Sequence, residues 1–552
     1  MSIFSSIRVK RPKRTNFDLS HEVKLTTEFG RLTPFFCQEV LPSDSFKVRT
    51  ELFVRMAPML APIMHRVNVY THYFFVPNRI LWDKWETFMT GGVRGTAEPL
   101  FPRIRVRANK MKSFGVGTLA DYLGFPVMDG KTSDFSDKEP IYNALPFKAY
   151  QMIWNEYYRD QTLQTPIPLG LDQEGIWNND ATHVNPDKDV YPEVPTFNAG
   201  DWMKLRYRCW EKDYFTSALP NPQRGEDVVL PFGQGYIDQQ AATSHVTALN
   251  PSGLPAGANV VINNNGSSLG VNSPTGAGIA PLDLVIQPNT QRIPVEGMTS
   301  STVNELRKSI ALQSWLEKNA RAGSRLKEFL AVHFGVTIPD STVQRPVYLG
   351  GGKTPIMISE VLQHSEDTST SRLGDMAGHG VTESVNNGFK HMFLEHGWII
   401  GIMSIMPRSS YQQGMPRQFE RFDRLDYASP EFAHLGEQEI KQGELYFDFG
   451  NPDNGENDTT FGYAPRYSEY KFINSSVHGD FRTNMAYWHL GRIFEAAPPL
   501  NGNFVSTAPP EKGTNPLNRI FATETDDDHF WVQIYNSITA KRPLPYYGTP
   551  SF

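Results

Sequence analysis

The stretch MHRVNVYTHYFFVPNRILWDKWETFMTGG, residues 64–92, decides the fold class of this chain. From residue 64 to 76 the side chains alternate between two faces, and both faces carry β-branched or aromatic residues. This period of two predicts a long β-strand of roughly 43 Å at ~3.3 Å per residue. Pro77 lacks the N–H that a strand ladder needs and should end it. We expect both faces to be covered, one by a core and the other by neighbouring protein, as in the wall of a large sandwich or barrel.

Further strands are predicted at both ends of the chain. They lie at 46–56, 398–406, 444–449 and 530–538, as alternating patterns or continuous apolar runs. Residues 149–158 predict a short helix, and residues 302–332 predict the main helical segment. The latter begins with a capping box, Thr302-x-x-Glu305, and should be interrupted at Gly323. Strands at both ends, with long excursions between them, predict an all-β sandwich decorated by insertions.

Composition bounds the class of protein further. The 552 residues are 39% hydrophobic and 12% aromatic, enough for a large core, and the formal net charge of −6 says little about partners. The two cysteines, Cys37 and Cys209, exclude a disulfide framework and suit a reducing compartment. No signal peptide is visible, and the longest apolar run is too short for a membrane span. We therefore expect a soluble, intracellularly made product without membrane insertion.

Residues 1–20 form a basic arm. Its five clustered cations are Arg8, Lys10, Arg11, Lys13 and Arg14, with no acid before Asp18. The arm is either a solvated tail or a segment that contacts nucleic-acid phosphates, where each cation displaces condensed counterions. The sequence leaves both interpretations open.

Residues 226–291 differ in composition from the rest of the chain. Between Arg224 and Arg292 there is no lysine or arginine, and small or polar residues dominate. A disordered low-complexity linker is one interpretation. Strand-like runs at Asn259–Ile262 and at 282–286 favour an ordered surface insertion instead. Closing a long loop costs only ~0.6 kcal/mol per doubling of its length, so a parent fold can carry it.

Motifs for chemistry are weak. The run LGGGKT, residues 349–354, lacks the first glycine of a phosphate-binding loop and is followed by Pro355. Histidines 379, 391 and 396 have no metal-ligand spacing, and the acidic cluster of Glu524 and residues 526–528 is best interpreted as a solvated turn. We therefore expect no catalytic residue, no metal site and no cofactor.

Five long blocks resemble one known family. They are GRLTPFFCQEVLPSDSFKV (30–48), THYFFVPNRILWDKWETFMTGG (71–92), LRKSIALQSWLEKNARAGSRLKEFLAVHFGV (306–336), RSSYQQGMPRQFERFDRLDYASPEFAHLGEQEI (408–440) and APRYSEYKFINSSVHGDFRTNMAYWHLGRIF (464–494). The chain resembles the major capsid protein of gokushoviruses, small single-stranded DNA phages of the microvirus family (Microviridae). Long blocks in conserved order are more specific than any short motif.

The resemblance implies an eight-stranded antiparallel jelly roll with long loop insertions and a few helices. Its two parts would be residues 21–225 and 292–552. Copies would form a T=1 icosahedral shell around circular single-stranded DNA, assembled in the bacterial host cytoplasm and retained in the virion. Implied partners are a small basic DNA-packaging protein, a pilot protein and a host-cell surface receptor.

The resemblance also suggests two candidate sites. The basic arm would contact DNA, and residues 226–291 would form a surface protrusion at the threefold axes whose tip attaches to the host. The candidate tip residues are Asn250, Pro251, Asn263, Asn264, Asn265, Gly266 and Asn272. The competing function is a jelly-roll carbohydrate-binding or glycan-cleaving protein, which would be a monomer or small oligomer.

Overall fold

The chain divides into two compact units, Met1–Arg224 with Glu317–Phe552, and Gly225–Leu316. The computed structural model describes residues 13–106, 113–127, 140–178, 183–184, 199–226, 228, 237–240, 245–248, 259–262, 269–272, 284–287, 290–293, 303–362, 364, 376–450, 455–510, 514–523 and 527–547. In these residues β-strands predominate over helices.

Strands and helices are numbered in chain order. The strands are β1 (Thr15–Asp18), β2 (His21–Thr27), β3 (Thr33–Val40), β4 (Ser45–Met56), β5 (Val67–Pro77), β6 (Arg103–Arg105), β7 (Ile141–Asn143), β8 (Ile176–Asn178), β9 (His183–Val184), β10 (Ile237–Gln240), β11 (His245–Ala248), β12 (Asn259–Ile262), β13 (Leu269–Asn272), β14 (Leu284–Gln287), β15 (Thr290–Ile293), β16 (Val347–Pro355), β17 (Met357–Leu362), β18 (Met376–Met392), β19 (Gly397–Pro407), β20 (Glu437–Lys441), β21 (Thr460–Pro465) and β22 (Phe530–Arg542). The helices are α1 (Asn78–Leu81), α2 (Trp85–Thr90), α3 (Leu119–Tyr122), α4 (Leu145–Ile153), α5 (Val303–Ala322), α6 (Leu326–Phe334), α7 (Gln442–Leu445) and α8 (Gly502–Val505).

A six-stranded antiparallel sheet forms one layer of the first unit. Its order is β1-β22-β4-β18-β17, and β2 pairs with β22 beside β1. In β4 and β22 buried and exposed side chains alternate, because one face lies on the core and the other faces solvent. The strands predicted at 46–56 and 530–538 are confirmed, and β22 continues to Arg542.

A four-stranded antiparallel sheet, ordered β16-β5-β19-β3, forms the second layer. Its central strands β5 and β19 are buried along nearly their whole length. The predicted strand at 398–406 is confirmed. The strand predicted from residue 64 begins only at Val67 and includes Pro77, whereas Met64 is 72% exposed before the strand.

The two sheets pack face to face over the main core. The Tyr73 ring of β5 lies 5.0 Å from the Phe389 ring of β18, centroid to centroid. The Tyr73 hydroxyl is hydrogen-bonded to Thr50, which donates in turn to Asn536 Oδ1 at 3.1 Å. Thr50 and Asn536 are fully buried, so these bonds satisfy polar groups that would otherwise cost free energy inside the core. The same contacts fix the register of one sheet on the other.

The other face of the four-stranded sheet is covered by the excursion that follows β5. Phe74 of β5 packs against Tyr157 at 4.7 Å between ring centroids, and every residue of α4 is buried. Tyr150 of α4 donates to the Leu32 carbonyl at 2.7 Å. The expectation that neighbouring protein covers this face is therefore wrong: the chain covers it with its own excursion, which forms a second core.

Several strands were not predicted from the sequence, and β16, β17 and β18 show why. The run LGGGKT lies inside β16, which pairs with β5 as an ordinary antiparallel strand with one bulge. A Cβ at Gly351 would come within 2.1 Å of the Thr71 carbonyl oxygen, so glycine is required for this close approach. β17 and the long β18, which has a bulge between Ser384 and Asn387, lack the β-branched pattern that predicts a strand.

The strand predicted at 444–449 is wrong. Residues 442–445 form α7, in which Glu444 Oε1 accepts from the Lys441 amide at 3.0 Å. Glu444 also accepts from the Tyr214 hydroxyl at 2.9 Å. A carboxylate that caps a helical turn in this way competes with extended backbone.

The helical predictions are confirmed. Residues 149–158 lie in α4 and the π-helical turn Trp154–Tyr158 that follows it. The segment 302–332 contains α5 and α6, and the chain breaks at Gly323, whose φ is +87°. Thr302 of the predicted capping box lies outside the described residues.

Among the described residues of the second unit, three antiparallel pairs are formed, β10 with β15, β11 with β14 and β12 with β13. The predicted run Asn259–Ile262 is β12. The run predicted at 282–286 corresponds to β14, which spans Leu284–Gln287.

Candidate interaction surfaces

The structure describes only the end of the basic arm. Lys13 and Arg14 are exposed, and Arg14 Nη1 donates to the Ser43 carbonyl at 3.2 Å. Arg8, Lys10 and Arg11 lie outside the described residues. DNA contact by the arm therefore stays a prediction.

Of the candidate attachment residues, the structure describes one. Asn272 ends β13 and pairs with Asn259 of β12. Asn250, Pro251, Asn263, Asn264, Asn265 and Gly266 lie outside the described residues. Host attachment by this segment also stays a prediction.

The outer face of the six-stranded sheet, here called the open face, carries cations and aromatic rings. Lys47, Arg49 and Arg55 of β4 are exposed on it and have no ion-pair partner within the part of the chain that the structure describes. Trp531 and Tyr535 of β22 are 45% and 38% exposed on the same face. The alternation of apolar and charged residues along β4 predicts from the sequence that one face of this strand is charged. Antiparallel pairing with β22 then adds the two rings beside it.

An exposed apolar surface lies on the segment between β19 and β22. Phe422 is 90% exposed and Ile473 is 96% exposed. The other members are Phe419, Leu425, Tyr427, Phe432, Leu435, Tyr470 and Phe472. Where exposed large apolar groups form a continuous patch, they mark protein–protein interaction sites.

Polar contacts hold the exposed apolar surface in place. Arg421 donates to Glu469 at 3.2 Å and lies 4.2 Å from the Tyr470 ring centroid. Both charged side chains are nearly buried, which strengthens their attraction. Two backbone amides donate to Asp426 and lower its pKa. The surface is thus presented on fixed backbone.

The residues with catalytic or metal-binding potential are held in structural contacts. Burial raises the pKa of the Cys37 thiol to about 12 and that of Cys209 to about 11, so neither is an activated nucleophile. Asp528 of the acidic cluster pairs with Arg31 at 2.8 Å, whereas Glu524 and Asp526 lie outside the described residues.

Within the described residues, no group of three or more histidine, cysteine or acidic side chains is arranged to hold a metal ion. Among the helices described, none is long and apolar enough to cross a membrane.

Comparison with known proteins identifies the family. The model of the family described as "Capsid protein (F protein)" matches residues 5–552. The chain is 32% identical to capsid protein VP1 of Chlamydia phage 1 and 32% identical to VP1 of Bdellovibrio phage phiMH2K. It is 26% identical to VP1 of Spiroplasma virus 4. Each comparison covers 99% of this chain and 97% of the relative.

These matches confirm the resemblance to gokushovirus capsid proteins and the structural, non-enzymatic role inferred from it. The matches favour the capsid role over the carbohydrate-binding alternative, because they cover nearly the whole chain and are not confined to the residues of one sheet. The chain belongs to the phage capsid protein (F protein) family.

Proposed function

We propose that copies of this chain assemble into a T=1 icosahedral shell that encloses circular single-stranded DNA. In this proposal the two main sheets of each copy form an eight-stranded jelly roll. Strands β2, β3, β4, β5, β16, β18, β19 and β22 serve as its first to eighth strands. The sheet orders are then first-eighth-third-sixth and fifth-fourth-seventh-second. This order supports the proposal, since return strands that lie beside the first strand define the Greek keys of capsid jelly rolls.

The observation that carries the shell proposal is the exposed apolar surface. A specific interface buries ~1,600 Å² in total, and its centre is rich in aromatic residues. Phe422 and Ile473 would be such central residues, because they are almost fully exposed on one copy. A shell offers each copy several neighbours, so individually weak contacts become stable together.

The test is substitution of Phe422→Ser together with Ile473→Ser. We expect this variant to fold, because the Phe422 and Ile473 side chains are exposed and neither belongs to a core cluster of the described residues. We expect wild-type protein to sediment as uniform particles and the variant as small folded species. The matched control is Val93→Ser, which removes a fully exposed apolar side chain from a different segment and should leave particles unchanged. Wild-type-like particles from the double variant would contradict the proposal.

For the genome contact we propose the basic arm together with the open face. Exposed cations bind phosphates, and exposed aromatic rings stack with unpaired bases. A small basic DNA-packaging protein would share this role, and a pilot protein would complete the virion. Replacing Arg8, Lys10, Arg11, Lys13 and Arg14 with glutamine should lower the DNA retained per particle. Unchanged DNA content per particle would contradict DNA contact by the basic arm.

For host attachment we propose the insertion at 226–291, acting on a host-cell surface receptor after assembly in the bacterial cytoplasm. Its support is compositional, since a neutral segment rich in small residues gains stability by packing against copies of itself. Deleting residues 231–290 should leave particles that form but do not adsorb to the host. Loss of assembly would show a different role.

A further inference from the structure

A cationic cavity of about 410 Å³ lies where the start of β5 meets the segments after β19 and before α8. Arg66 and Arg408 line it and are exposed. Among the described residues neither arginine has an ion-pair partner, and no carboxylate lines the cavity. Asp213 lies behind the wall, where it accepts from Ser409 and Tyr411 at 2.6 and 2.7 Å. The cavity is therefore positive and open to an anion.

Two of the residues that line the cavity carry a buried donor without a protein partner. Ser410 is 3% exposed, and its hydroxyl has no hydrogen-bond partner in the structure. The indole N–H of Trp488 is buried and is also unsatisfied.

A second source of positive potential lies beneath the cavity. Arg519 donates to the carbonyls of Ala486, His489 and Gly491 at 2.8 to 3.1 Å. Burial lowers the Arg519 pKa to about 10, and it lowers the pKa of nearby His65 to about 4. His65 is thus neutral near pH 7, and the charge of the cavity comes from arginine.

The size and walls of the cavity select among anions. A volume of about 410 Å³ falls in the range of small-molecule sites and is far larger than one phosphate needs. Phe481 and Trp488 provide aromatic walls beside the arginines. Cations for a phosphate and rings for a base are the combination that binds nucleotides of single strands.

We propose that this cavity binds one nucleotide unit, with Arg66 and Arg408 on its phosphate and the rings of Phe481 and Trp488 beside its base. The nucleotide has two possible sources, a free nucleotide or one unit of a single-stranded DNA chain. Only the second source rests on the function proposed above.

The test uses the purified full-length chain and isothermal titration with thymidine 5′-monophosphate, inorganic phosphate and a short oligothymidylate. We expect one saturable site for thymidine monophosphate and at least about tenfold weaker binding of phosphate, which lacks the base. Arg66→Gln with Arg408→Gln should weaken nucleotide binding at least about tenfold, because charge-assisted hydrogen bonds are lost. Tighter binding of the oligothymidylate than of the mononucleotide, with the difference lost in the Arg66→Gln with Arg408→Gln variant, identifies the DNA chain as the source; equal binding identifies the free nucleotide.

The matched control is Arg94→Gln with Arg103→Gln, two exposed arginines that do not line the cavity. It should leave affinity within about twofold. Arg66→Gln alone guards against misfolding because the side chain is exposed. No saturable binding, equal affinity for phosphate and nucleotide, or equal losses in the control would overturn the proposal. Sedimentation of the same samples reports particle formation separately, so failure of the shell and failure of the cavity are distinguished.

Discussion

The two main sheets of the first unit differ in what covers them. In the four-stranded sheet the central strands β5 and β19 are buried on both faces, one against the main core and the other under the chain's own excursion. The six-stranded sheet is buried on one face only, and in β4 and β22 its open face carries charged, polar and aromatic side chains. A sheet covered on both sides contributes stability, whereas an uncovered face is free for partners. Substitutions in the two sheets should therefore affect different properties.

The largest expected effect is Phe74→Ala in the covered sheet. Phe74 is 2% exposed and packs between rings of the second core, so truncation should lower the free energy of unfolding by ~3–5 kcal/mol. Urea unfolding followed by tryptophan fluorescence measures the change. The control is Phe53→Ala on the open face, where the side chain is 37% exposed and the loss should be below ~1 kcal/mol. Equal losses would remove the distinction between the sheets.

A smaller loss is expected for Gly351→Ala at the edge of the same sheet. The new Cβ would clash with the Thr71 carbonyl, and overpacking of this kind costs ~1–3 kcal/mol. Urea unfolding measures it against Gly450→Ala, where the nearest atom is a side-chain oxygen at 3.2 Å. If the two variants unfold alike, β16 does not lie as closely on β5 as described.

Lys148 should make the second core sensitive to pH. Burial lowers its pKa to about 7, although Asp172 and Asp83 oppose the shift. Between that pH and its ordinary value of ~10.4 the unfolded chain binds the extra proton, so stability should rise with pH by at most ~1.4 kcal/mol per unit. Comparing unfolding of wild type and Lys148→Met from pH 7 to 9 isolates this slope. Parallel curves would show that Lys148 stays charged when folded.

The smallest effect on stability is expected on the open face. Arg49→Gln with Arg55→Gln should change the free energy of unfolding by less than ~0.5 kcal/mol, because both side chains are exposed and unpaired within the described residues. If the open face contacts DNA as proposed, the variant should nevertheless release DNA at lower salt than wild type, since two cations that would bind phosphates are lost. Glu51→Gln on the same strand is the control and should not weaken retention. Unchanged salt dependence would mean that the open face does not contact DNA.

Strands could be predicted where burial on one face imposes alternation or burial on both faces imposes an apolar run. β4, β22 and β19 satisfy this condition, and their positions follow from the sequence. β18 does not, because its glycines and polar residues are placed by pairing with β4 and β17. The strand predicted at 444–449 is wrong for a different reason. The apolar neighbours of Glu444 suggest a strand, but its carboxylate caps a turn.

The interaction surfaces were less predictable than the fold. The basic arm and the insertion were recognised by composition, which says what a segment contains and not where it lies. The cationic cavity gathers Arg66, Arg408, Ser410 and Trp488 from three separate segments, and no spacing in the sequence connects them. Exposure of Phe422 is equally invisible, because an apolar residue in a sequence predicts burial by default.

The central place of β22 has a consequence for synthesis. Thr50 of β4 and Asn536 of β22 are hydrogen-bonded although they stand 486 positions apart. Until β22 leaves the ribosome, β4 has an unpaired edge, and contacts over such separations form slowly. Nascent chains would therefore wait with an open sheet edge, which is the condition under which chaperones are needed and premature aggregation is a risk.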